Sequence, residues 1–115
     1  MTEDENRELV LSHLKLANQV RFARAKDKKA IRAGRLDAAL ILRDPPAHWK
    51  RATLVDLLLC VPKVGRVKAQ KWAALERVRL DALIGALSVR QRELLARQVD
   101  FHLQDETLRL RLPHN

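Results

Sequence analysis

Pro62, Lys63, Val64, Gly65, Arg66 and Lys68 fall within the decapeptide Val61-Pro62-Lys63-Val64-Gly65-Arg66-Val67-Lys68-Ala69-Gln70, a proline-led turn that opens into a basic helix. These residue types at this spacing suit the gripping of a phosphate. A helix start offers unpaired N–H groups and the positive end of the dipole to an anion. Gly65 is expected to take a positive φ and to let the backbone approach that anion, while Lys63, Arg66 and Lys68 surround it with charge. The expected element is a helix-hairpin-helix, which holds a nucleic-acid strand by its backbone and reads little sequence. Val61, Val64 and Val67 are expected to pack its two helices together, with Ala69 small where they approach closely.

A second cationic group precedes the hairpin. Arg21, Arg24, Lys28, Arg32 and Arg35 recur at helical spacing in a stretch whose one acid is Asp27. On a helix they cover an arc of roughly 80° and a length of about 20 Å, a stripe able to follow several phosphates. A solvated face is the plainer explanation of such a run. Solvated faces, however, usually interleave both signs for i, i+4 pairing, and this one scarcely does.

Composition points the same way. The 115 residues carry 23 Lys+Arg against 14 Asp+Glu, a formal net charge of +9, which favours a polyanionic partner. No segment reaches the ~20 continuous apolar residues of a membrane span, and the acidic start Thr2-Glu3-Asp4-Glu5 is unlike a signal peptide. No membrane partner is expected, and the expected location is cytoplasmic. The four histidines and Cys60 lack metal-ligand spacing, no nucleotide loop or Ser/His/Asp signature is present, and neither catalysis nor a cofactor is expected. Cys60, in an apolar run, reads as a small buried hydrophobe.

Few glycines and prolines, with many Leu, Ala, Arg and Glu residues, predict an all-α chain. Residues 1–34 form a long basic N-terminal helix stopped by Gly34, with Leu9, Leu16, Val20 and Ala23 on one side. Residues 35–99 form a compact helical domain. Within it a short helix carries Leu36, Ala39, Leu40 and Arg43 up to Asp44-Pro45-Pro46, and His48 and Trp49 lie in the loop that follows. Thr53 and Asp56 cap a helix from Leu54 to Cys60, the first arm of a helix-hairpin-helix over 54–77 whose second arm starts at Arg66. Trp72 on that arm is a packing residue. Leu80, Leu83, Ile84 and Leu87 have the spacing of another short helix, and Ser88 with Gln91 caps a last one over Val89–Val99. Residues 100–115 form a tail, either a strand-like arm or a disordered end.

With these features in hand, the chain resembles the actinobacterial type of integration host factor over roughly residues 10–99. The most specific part is Leu57-Leu58-Leu59-Cys60-Val61-Pro62-Lys63-Val64-Gly65-Arg66-Val67-Lys68-Ala69-Gln70. Ala23-Arg24-Ala25-Lys26-Asp27-Lys28-Lys29, Gly34 and Arg90-Gln91-Arg92-Glu93-Leu94-Leu95 add to it. The resemblance implies a long N-terminal helix on a compact domain with a helix-two-turns-helix element, and a nucleoid-associated protein that is a monomer when free. It further implies sequence-tolerant binding of double-stranded DNA through hairpin and basic helix, bending or compaction of that DNA, and support of a site-specific recombinase. The chain differs from the family pattern at Leu80–Gly85, at Asp44–Arg51 and in the tail. An RNA- or ribosome-binding role is the alternative, because backbone gripping also suits A-form RNA.

Overall fold

Thr2 starts the first helix with a reciprocal cap: its hydroxyl accepts from the Glu5 N–H, and the Glu5 carboxylate accepts from the Thr2 N–H. Helix α1 then runs Glu3–Arg32 in the computed structural model, which describes residues 2–111 and side chains as far as Glu106. It stops where expected. Gly34 takes φ 75°, and the Gly34 and Arg35 N–H groups bond back to the carbonyls of Ile31 and Ala30, closing a Schellman motif.

Five further helices follow: α2 (Ala38–Arg43), α3 (Ala47–Lys50), α4 (Leu54–Leu58), α5 (Arg66–Leu75) and α6 (Val89–Arg111), with a 3-10 turn at Ile84–Ala86. The described chain is all-helical, a long N-terminal helix followed by a compact helical region. Asp37 caps α2 through its carboxylate, and Thr53 caps α4 by accepting from the Asp56 N–H. Ser88 and Gln91 form the expected reciprocal cap on α6.

Three local expectations are corrected. His48 and Trp49 lie on α3 rather than in a loop: Pro46 stands just before the first turn, where its missing N–H is harmless, and Trp49 is fully buried. Leu80–Leu87 forms no regular helix. The carbonyls of Leu80 and Ala82 instead accept from the Val55 and Leu54 N–H groups, satisfying the start of α4, and the Ile84 N–H donates in the opposite direction to the Ala52 carbonyl. Those carbonyls, used as caps, are not available to a local helix. The third correction is α6, which continues to Arg111, so residues 100–111 are neither arm nor disordered end; residues 112–115 of the expected tail lie outside the described residues.

The core gathers Ile31 from α1, Ala39 and Leu42 from α2, Trp49, Leu54, Leu57 and Leu58 from α3 and α4, Ala69 and Trp72 from α5, and Leu95, Ala96 and Val99 from α6. Helix α2 lies along α6. Arg92 clamps the pair by donating to the last carbonyls of α2, Leu42 and Arg43, and Arg43 itself forms ion pairs with Glu93 and Asp100 at 2.9 and 2.8 Å. Every residue from Glu3 to Gln19 is exposed, so the first half of α1 projects from the domain and the long axis of the molecule reaches 72 Å.

Candidate nucleic-acid interface

The hairpin turn is built by Pro62. The Val64 N–H bonds to the Val61 carbonyl at 3.1 Å across Pro62 and Lys63, and Lys63 takes φ 67°. Proline second and a positive φ third is the type II pattern. The positive φ expected at Gly65 therefore sits at Lys63, and Gly65 is extended at φ −97°, ψ −177°. A Cβ on Gly65 meets nothing within 4 Å. Gly65 matters differently: it is the N-cap of α5 and supplies no side-chain cap. The first intrahelical bond runs from Ala69 N–H to the Gly65 carbonyl, so the N–H groups of Arg66, Val67 and Lys68 point out of the helix end. Lys63, Gly65, Arg66 and Lys68 are all exposed around it.

Hydrophobic contacts fix the turn from below. Val61 and Val64 are buried and Ala69 is fully enclosed, as the sequence predicts. Val67 is not a packing residue: it lies 86% exposed on the outer face of the first turn of α5, beside the uncapped amides.

His102, a residue the sequence reading passed over, holds the turn to α6. Its ring is buried, Nε2–H donates to the Pro62 carbonyl at 2.8 Å, Nδ1 accepts from Lys68 Nζ at 3.1 Å, and the ring meets the Trp72 indole edge-on. Lys68 is thus exposed along its length but anchored at its tip. A signal was present, since Leu95, Val99 and His102 repeat at i, i+4, i+7 and continue the buried stripe of α6 past Val99.

The five cations of α1 do not form one free stripe. Arg24 donates through Nε to the His48 carbonyl, and Lys28 pairs with Asp56 at 2.8 Å, so both hold α1 against the domain. Arg21, Arg32 and Arg35 remain exposed. Arg35 lines a groove of about 400 Å³ together with Val61 and Pro62, which brings the end of α1 beside the hairpin turn. The charge of Arg32 also reaches the Cys60 thiol just before the turn. Burial nonetheless pushes that thiol above its ordinary range, and its S–H donates to the Asp56 carbonyl, so Cys60 is a packing residue as expected. Arg35 therefore lies beside the turn that leads to the uncapped start of α5, where Lys63 and Arg66 are exposed.

Asp27, the lone acid among these cations, has a structural task. Its Oδ2 accepts from Trp49 Nε1 at 2.8 Å and from His48 Nε2 at 2.6 Å, locking α1 onto α3.

No protein family, no curated protein and no solved structure matches the chain. Among the described residues, no helix is long and apolar enough to cross a membrane.

Proposed function

We propose that the protein is a non-enzymatic, architectural DNA-binding protein that grips the phosphate backbone of duplex DNA with little regard to sequence. The observation that carries this reading is the uncapped N-terminus of α5, held rigidly by Pro62 and His102, with exposed Lys63 and Arg66 beside it. Helix-end amides and mobile cations complement a phosphodiester and offer no base-reading group. Arg32 and Arg35 extend the contact along the strand. Arg24 and Lys28 contribute indirectly, by holding α1 against the domain so that Arg35 lies beside the hairpin turn. In this reading the protein acts in the nucleoid, bends or compacts DNA, and assists a site-specific recombinase.

Fluorescence-anisotropy titration of labelled duplexes tests it. Between about 50 and about 200 mM salt, log affinity should fall with a slope of about −4, the release expected for four or five neutralised phosphates. Two unrelated duplexes should bind alike. A preference above ~10³-fold for one site contradicts sequence tolerance, and a preference for structured RNA over duplex DNA selects the ribosome- or RNA-binding alternative.

A further inference from the structure

We propose that the projecting half of α1 is a self-association surface, on which a second copy of this chain docks antiparallel to the first. The face of α1 that meets the domain at Ala23, Asp27 and Ile31 continues toward the N-terminus as Leu9, His13, Leu16 and Val20. Beyond Val20 none of the described residues covers it: Leu9 is 42% and Leu16 59% exposed on a helix of about five projecting turns. A lone helix of that length is marginal in water, and an apolar stripe of this kind marks a contact surface.

Charge selects the occupant. Leu16, Ala17 and Val20 floor a groove that ends in three cations, Arg21, Arg24 and Arg51. The segment complementary to that groove is the start of α1 itself, which presents Glu3, Asp4 and Glu5 and then, one turn or so later, Leu9. On the helix Glu5 lies roughly 40° from Leu9 on one side of the apolar stripe and Glu3 roughly 120° from it on the other. In an antiparallel pair whose facing residue numbers sum to about 25, Leu9 of each copy meets Leu16 of the other, the two His13 residues meet near the two-fold axis, and the acids of each copy reach the cations of the other. Such a pairing is isologous and closed. It stops where it should, because each partner's free segment ends where the other's domain begins. It also departs from the monomer that the sequence leads one to expect, and it is independent of DNA binding.

A sedimentation series on the DNA-free full chain, from about 1 to about 200 µM, should move from the 13.2 kDa monomer toward twice that mass. Leu9→Glu/Leu16→Glu changes exposed positions outside the core, so its circular dichroism should match the parent while the dimer dissociates at least about tenfold more readily. Glu3→Lys/Glu5→Lys should weaken the dimer too, and adding Arg21→Glu/Arg51→Glu to the same chain should restore it. Finally, Leu9→Cys chains mixed with Leu16→Cys chains should cross-link to each other on oxidation in preference to themselves, with buried Cys60 silent. A monomer throughout the range, a dimer that survives Leu9→Glu/Leu16→Glu, or self-linked pairs in excess of mixed ones overturns the proposal.

Discussion

Asp27 on α1 accepts the indole N–H of the fully buried Trp49 on α3, over 2.8 Å. The one carboxylate in the cationic run is thus the fastening of the long helix to the domain. Asp27→Ala leaves the Trp49 and His48 donors without this acceptor and should cost about 2–3 kcal/mol. Asp27→Asn keeps one acceptor oxygen and should cost less. Urea denaturation followed by circular dichroism measures both; equal stability of parent and Asp27→Ala contradicts the assignment.

Gly85 is fixed by close approach. A Cβ there lies 2.9 Å from the Lys50 carbonyl oxygen and 3.0 Å from the Lys50 Cβ, so the 3-10 turn cannot keep its place against α3 once a methyl group is added. Gly85→Ala should destabilise by about 1–3 kcal/mol, whereas Gly65→Ala, with open space around the new methyl, should cost a few tenths. Thermal melts of the two variants give the comparison.

His102→Leu keeps much of the ring's volume but removes the donor to Pro62 and the acceptor for Lys68. Stability should fall by about 1–3 kcal/mol. Hydrogen exchange should localise the loosening to the hairpin, at the amides of Val61 and Val64. Protection there equal to the parent shows that the turn stands without α6.

Acid should loosen the α2–α6 clamp. The hydrogen bond from Arg43 holds the Glu93 carboxyl below its ordinary 4.5, with Arg97 adding to the effect against a smaller opposing push from desolvation. A lowered folded value means that Glu93 stabilises the fold fully above its unfolded value, and that this contribution is lost as pH falls through the folded one. Below pH 4.5 the parent should lose stability faster than Glu93→Gln, which carries no titrating group at this position. Parallel stability–pH curves for the two proteins contradict the assignment.

Local signals were legible in the sequence where the chain answers to itself. The Gly34 stop, the Ser88/Gln91 cap and the apolar lead-in to Pro62 each act within a few residues, and each takes its expected form. Non-local demands were not legible. Leu80, Leu83, Ile84 and Leu87 have helical spacing, but the carbonyls of Leu80 and Ala82 are taken by the first turn of α4, more than twenty residues earlier. Gly65 drew the positive φ because glycine tolerates it most cheaply, yet Pro62 at the second turn position passes it to Lys63. In the basic run, spacing identifies one face of α1 but cannot say which cations that face presses against Asp56 and His48. The continuation of α6 was signalled by Val99, His102 and Leu103, and was obscured by the alternating leucines and arginines beyond Glu106.

The central claim rests on the uncapped amides at Gly65, and Gly65→Asp tests it most directly. An N-cap carboxylate accepts from the Val67 or Lys68 N–H and favours the helix dipole, so the variant should be more stable than the parent by a few tenths to about 1 kcal/mol. The same carboxylate occupies the amides offered to a phosphate and repels it. Duplex affinity at about 100 mM salt should fall at least about tenfold, while Gly65→Ala binds close to the parent. A Gly65→Asp protein that gains the stability and still binds duplex DNA with the parent's affinity and salt slope contradicts the account.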